Sequence, residues 1–222
     1  IAFLGANAVY RRIRLAATGV GPDRLEICYK IASEDPLYGV DDAQVTADWP
    51  SPPRAQPQSS LTGGMYRCNP VHDDLVVRNP AHWLLAGTGT RRGETFPGLV
   101  GSEYDRVDLA FPTPRDIEVL THSPVVCGGR ADHSDVSYYT AGSGAGVFDA
   151  GTSAWVCAVD DVCGPGTGGP RIRAFVTRVT TTLLSTFAAG PARDRHPAAR
   201  DVPADTRSAG SGGVQGLSGA PE

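Results

Sequence analysis

An asparagine and a glutamate stand where this chain most readily builds chemistry. Asn7 closes Gly5-Ala6-Asn7 at the end of an apolar run. In open α/β sheets ligands gather beyond the carboxyl ends of strands, and an amide that both donates and accepts can hold a carbonyl oxygen or orient a water. The same asparagine also suits an unusual turn conformation, so both readings stand. Glu103 lies in Leu99-Val100-Gly101-Ser102-Glu103-Tyr104-Asp105-Arg106-Val107, where an apolar strand end and a glycine lead into a polar cluster. A desolvated glutamate there serves as a general acid/base, whereas the residues alone read more plainly as a solvated turn. Asp105 and Arg106 are expected to form an ion pair that fixes the loop.

Other polar groupings carry less. Ala141-Gly142-Ser143-Gly144-Ala145 mimics a nucleophile elbow, but the strand-like Gly146-Val147-Phe148 follows where an elbow needs a helix. A tight hairpin or bulge is expected instead, and Ser143 is rejected as a nucleophile. Asp132-His133-Ser134-Asp135 and His72-Asp73-Asp74 hold metal-ligating types without an established ligand spacing, and solvated loops are the expectation for both. Gly87-Thr88-Gly89-Thr90 runs into Arg91-Arg92-Gly93, so it is not a phosphate-binding P-loop.

The elements that must position these residues are mostly strands. Residues 1–4 read as a buried parallel strand, residues 9–16 alternate, and residues 25–31 follow a Gly-Val-Gly-Pro turn. A strand buried from its first residue is expected to take sheet neighbours from upstream, making the chain the C-terminal part of a larger domain. Asp35-Pro36, Trp49-Pro50 and Pro52-Pro53 mark residues 33–60 as a long excursion. Met65-Tyr66-Arg67, Leu75-Val76-Val77, Trp83-Leu84-Leu85, Leu99-Val100, Ile117-Glu118-Val119-Leu120, Tyr138-Tyr139-Thr140, Gly146-Val147-Phe148 and Ala154-Trp155-Val156 are the remaining strand candidates. One helix is expected over residues 170–189, opened by Pro170 and stopped by Gly190-Pro191. Its apolar stripe of Ile172, Phe175, Val176, Val179, Leu183 and Phe187 must pack on a sheet. Residues 1–191 make the domain, and residues 192–222, rich in Ala, Gly, Ser and Arg, are expected to be a disordered tail.

Composition narrows the class. A chain of 222 residues with 41% apolar content supports one core, and no stretch is apolar for long enough to span a bilayer. The net charge of −4 speaks against a nucleic-acid surface. Five cysteines form no C-x-x-C pair, which argues against zinc-ribbon or thioredoxin chemistry. Cys157 and Cys163 flank a polar turn and suit a small disulfide loop, Cys68 and Cys127 suit a bridge across the fold, and Cys28 reads as a buried free thiol. This usage fits an exported protein.

Several stretches in order resemble the N,N-dimethylformamidase large (beta) subunit family. They are Ala2-Phe3-Leu4-Gly5-Ala6-Asn7 with Tyr10 and Arg12, Leu61-Thr62-Gly63-Gly64-Met65-Tyr66, and the Glu103 segment. Val119-Leu120-Thr121-His122-Ser123-Pro124, Ser143-Gly144-Ala145-Gly146-Val147-Phe148 with Ala150-Gly151-Thr152, and the final helix complete the match over residues 1 to about 191. The resemblance implies an α/β domain, the C-terminal part of a class I glutamine amidotransferase-like (flavodoxin-like) sheet with β-rich insertions and a C-terminal helix. It also implies hydrolysis of a small formamide-like amide at an iron whose ligands lie outside this chain. Asn7 and Glu103 are the two positions of this chain that it carries into the active site. Where the family has Gly-Asn-Asn, this chain has Gly-Ala-Asn.

The expected partners are a small amide substrate and the upstream part of the same polypeptide, with a small subunit or a homo-oligomer left open. The chain alone is expected to be inactive. The rival reading is a non-catalytic binding or scaffold domain of the same fold in a larger exported protein. A carbohydrate-binding module built on Trp49, Trp83 and Trp155 is disfavoured, because the three stand in unrelated contexts.

Overall fold

Proline at the first helical position and a left-handed glycine after the end bound the longest helix, as the sequence requires. In the computed structural model, which describes residues 1–160 and 168–206, this helix (α3) runs Pro170–Ala188, and Gly190 has φ of 123°. It buries Ile172, Phe175, Val176, Val179 and Leu183 of the expected stripe, and Phe187 is partly buried against the same core. The strands are β1 Ala2–Phe3, β2 Arg14–Thr18, β3 Gly21–Ile27, β4 Met65–Val76, β5 Thr95–Arg106, β6 Glu118–Cys127, β7 Arg130–Thr140 and β8 Gly146–Asp149. Two short helices, α1 Ser59–Thr62 and α2 Ala154–Asp160, complete a mixed α/β architecture.

The main sheet has the order β1-β8-β7-β6, with β1 parallel to β8 and the other pairs antiparallel. β1 therefore occupies the edge of this sheet, and Ile1 is exposed instead of buried. The long β4–β5 ribbon packs beside the sheet, and β2–β3 forms a separate hairpin. Between ribbon, sheet and helices lies the principal core. Phe96 of β5 stacks on Phe175 of α3 at 4.1 Å, and Trp155 of α2 meets Phe148 of β8 at 5.7 Å. Each such fully buried side chain contributes about 1.5–3 kcal/mol. A disulfide joins Cys68 of β4 to Cys127 of β6, as expected. Cys157 is disulfide-bonded too, but its expected partner Cys163 lies outside the described residues.

Several expectations are corrected. Ala154-Trp155-Val156 is helix, because Trp155 meets the core from a one-sided face of α2 and its indole N–H reaches Thr180 Oγ1 at 3.0 Å. Trp83-Leu84-Leu85 forms turns, its buried leucines held by short-range bonds such as Leu85 N–H to His82 O. Cys28 is exposed, just past the end of the solvent-facing β2–β3 hairpin. Residues 192–206 are packed on the body and not disordered. Ala192 is buried, His196 stacks on Trp83 at 4.1 Å, and Asp201 exchanges backbone hydrogen bonds with Ile117 and Val119. Residues 207–222 of the expected tail lie outside the described residues.

Candidate active site

The ends of β1 and β8 set the site. The two strands run parallel, so the residues after each of them emerge at the same end of the sheet. After β1 comes Gly5-Ala6-Asn7, and β8 ends on Asp149. Asn7 adopts φ of 57°, the left-handed turn that asparagine tolerates. That turn aims its backbone N–H at Asp105, whose two carboxylate oxygens accept it at 3.0 and 3.2 Å across 98 residues of sequence. The Asn7 side-chain Oδ1 is buried without a hydrogen-bond partner.

Asp105 comes from β5, opposite Tyr66 of β4. It is fully buried beside Asp149, and each is raised far above the usual carboxylate range, first by burial. For Asp149 the charge of Asp105 is the next cause, while Glu103 adds to Asp105. Two such groups cannot both ionise, so the pair holds a proton near neutral pH. Asp149 Oδ1 accepts the Gly151 N–H at 3.0 Å, while its Oδ2 is buried without a hydrogen-bond partner. A Cβ on Gly64 would lie 2.5 Å from Asp149 Oδ2 and 3.1 Å from Asp105 Cβ. The second glycine of Leu61-Thr62-Gly63-Gly64 is thus the close approach that closes the pair.

Glu103 sits at the mouth of this arrangement, half-buried, with Asn69 Nδ2 donating to its Oε1 at 2.9 Å. The Tyr66 hydroxyl beside it is pushed up to about 12 by burial and then by the Glu103 charge. Tyr10 meets Tyr66 edge-on at 5.2 Å. Nearby, a mainly apolar cleft of about 450 Å³ is lined by Val9, Trp49, Leu61 and Pro112 among others. Asn7 and Glu103 therefore both adjoin Asp105, one by hydrogen bond and one by charge.

The Asp105–Arg106 ion pair does not form. Neighbouring strand residues point to opposite faces, and Arg106 instead bonds Asp108 and Asp132, with Arg67 at 3.6 and 3.5 Å from the same two carboxylates. Asp132 also accepts the Tyr104 hydroxyl at 2.8 Å. Asp132-His133-Ser134-Asp135 is not a solvated loop: it is strand β7, and His133, Ser134 and Asp135 are buried. Asp135 accepts from His122 at 2.7 Å and from Val107 N–H at 2.9 Å. Asp73 and Asp74 accept the N–H groups of Val126 and Gly98, which pins β4 to its neighbours. Ser143 lies in the tight turn between β7 and β8, where Ala141 and Ala145 bond, and Gly87-Thr88 lies under α3 with Arg171 bonded to Thr88 O.

The residues that sequence reasoning missed are Asp149 and the Asp105 environment. An aspartate directly ending the apolar run Gly146-Val147-Phe148 was the available signal, since a strand buried at every position leaves its terminal carboxylate buried as well.

The family model described as N,N-dimethylformamidase beta subunit-like, C-terminal, matches residues 1–168. No curated protein matches the chain.

Proposed function

The chain belongs to this N,N-dimethylformamidase-related family of hydrolases, and we propose that its Asn7–Asp105–Glu103 constellation serves hydrolysis of the C–N bond of a small, formamide-like amide. The observation that carries the reading is that Asn7 reaches, from 98 residues away in sequence, the buried Asp105 that stands two residues along β5 from Glu103. A half-open cleft of about 450 Å³ with mainly apolar walls, reaching Val9 next to Tyr10 in sequence, supports a small substrate. The parallel β1–β8 pair supports placing the domain in a larger glutamine amidotransferase-like sheet.

In this mechanism Glu103 is the general base. Its carboxylate takes a proton from water as the water oxygen bonds to the amide carbon. It then gives that proton to the nitrogen as the C–N bond breaks, releasing an amine and a carboxylic acid. Asn7 orients the substrate or the water with its otherwise unpartnered Oδ1. The Asp105–Asp149 pair fixes the Asn7 turn and the path of β5, and Tyr66, held protonated, presents a hydroxyl beside Glu103.

The iron that the family implies is not held by these residues alone. Among the described residues, no group of three His, Cys, Asp or Glu donors forms around Glu103, and burial keeps Tyr10 and Tyr66 protonated. The residues around Glu103 therefore do not fit a bound iron by themselves, and no step is derived through one. Iron ligands outside this chain, and export of the protein, remain parts of the proposal.

The test is amine release from N-alkylformamides by the full-length protein. Glu103→Gln is expected to lower turnover by about 10²–10⁴-fold, and Asn7→Ala to lower it by about tenfold or more, with folding intact. Turnover unchanged in both variants would overturn the assignment of Asn7 and Glu103, and no amine release by the parent protein would leave a binding or scaffold domain as the reading.

A further inference from the structure

Away from the Asn7–Asp105–Glu103 constellation, one cluster of ligating side chains is built by sheet geometry. His122 of β6 lies directly opposite Asp135 of β7, so their side chains share a face. His133 is two residues before Asp135 on the same strand and faces the same way. The two imidazoles sit 4.4 Å apart, and one donor atom from each of the three residues lies within 4.8 Å of the other two.

A second observation points to a ligand. His133 Nε2 is buried and has no hydrogen-bond partner, although the residue is only 8% exposed and Asp135 Oδ2 stands 3.4 Å away. Each candidate donor is also oriented from behind. His122 Nε2 faces Asp205 at 3.3 Å, Asp135 Oδ2 accepts the Val107 N–H, and the other nitrogen of His133 faces Asp132 at 3.8 Å. Carboxylates behind ligating imidazoles are the outer-shell arrangement of metal centres, where they fix the ring and raise its basicity.

We propose that His122, His133 and Asp135 bind a divalent transition-metal ion of the zinc type. Two imidazoles and one carboxylate are a borderline donor set, suited to Zn²⁺ and its Co²⁺ surrogate and poor for Ca²⁺ or Mg²⁺. Ligands about 2.0–2.1 Å from zinc in a tetrahedron lie roughly 3.3 Å apart, a small contraction of the cluster. Three protein ligands leave a fourth position for water, while Asp205 stays behind His122 Nε2 as an outer-shell acceptor. The ion replaces the proton between His122 Nδ1 and Asp135, so one proton leaves as it binds. Its consequence is structural: it joins β6, β7 and, through Asp205, the segment after α3.

The experiment is calorimetric titration of the EDTA-treated chain with ZnCl₂ alone, in a Cys28→Ser background that removes the exposed thiol. Co²⁺ absorption gives an independent readout of the coordination. One equivalent is expected to bind with proton release and a tetrahedral Co²⁺ spectrum. His133→Ala and His122→Ala should abolish both signals, while Asp205→Asn at the surface should weaken binding about 10–100-fold. His72→Ala, at an exposed imidazole elsewhere, should change nothing. Absence of saturable binding in the parent chain overturns the proposal, whatever the variants do. So does binding that survives in folded His122→Ala and His133→Ala, or that His72→Ala removes.

Discussion

Two sets of buried carboxylates occupy the same stretch of this molecule and are neutralised in opposite ways. Asp105 and Asp149 face each other, and among the described residues no cationic side chain bonds either one; burial holds both far above their ordinary range, with the charge of Asp105 adding to Asp149 and that of Glu103 to Asp105. Asp108 and Asp132 also feel burial, yet both titrate below that range, because hydrogen bonds and charges from Arg106 outweigh it. Asp135 is likewise fully buried, and His122 and His133 bring it down. Only two residues separate Asp105 from Asp108 in sequence. Residue type therefore says little here about charge state; the partner across the sheet decides it. The matched set ties strands together, while the unmatched pair stores a proton next to the turn that carries Asn7.

The largest effect comes from breaking the matched set. Arg106→Met takes the nearest cation from the buried Asp108 and Asp132, leaving Arg67 farther off at 3.6 and 3.5 Å. Removing one partner of a buried ion pair costs about 3–5 kcal/mol, and urea unfolding should show that loss at pH 7. A loss below about 1 kcal/mol would place this cluster with exposed salt bridges and dissolve the contrast. A smaller effect comes from prying apart the unmatched pair. Gly64→Ala puts a methyl against Asp149 Oδ2 and should cost about 1–3 kcal/mol through overpacking. Adding Asp149→Ala should return part of that loss, because the atom that clashes is gone. A double variant whose losses simply add would show that Gly64 is needed for another reason.

Legibility followed the same division. The stripe of α3, the hairpin at Ser143 and the Cys68–Cys127 bridge were readable because each rests on local spacing or on a residue type with few uses. Met65-Tyr66-Arg67 and Ile117-Glu118-Val119-Leu120 were readable as strands from their apolar content, but not their partners. Trp155 was misread because a short apolar run does not distinguish a buried helix from a strand. Residues 192–206 hide their order because it comes from single long-range contacts, such as Trp83 on His196 and Arg78 on Asp201, and not from periodicity. Within the candidate site, Asn7 and Glu103 were visible from motif and resemblance. The role of Asp105 was not, since pairing it with Arg106 rests on sequence adjacency, and strand alternation sends adjacent side chains to opposite faces. His133 and Asp135 read as a polar loop for the same reason: a strand lined with charges looks solvated until its partner strand is known.

The smallest and most specific prediction concerns pH. Asp105 and Asp149 keep protons in the fold at pH values where an unfolded aspartate, near 3.8, has lost its own. Their contribution to stability is therefore complete below about 3.8 and disappears as pH rises through their raised folded values. Burial would lower His122, but Asp135 and Asp205 raise it above 6.5, and its contribution is lost in the same direction. Asp108, Asp132 and Asp135 act only on the acid side, where stability falls as pH drops through their lowered values. Between pH 5 and 8, then, the protein should lose stability as pH rises. Asp149→Asn removes one of the two facing charges and leaves Asp105 with Glu103 as its remaining charged neighbour. Thermal unfolding should show the variant about 1–2 kcal/mol more stable than the parent at pH 8, the two converging toward pH 5, with a shallower slope between. Parallel stability–pH curves would mean that Asp149 does not titrate in this window, and the unmatched pair would then be two independent aspartates.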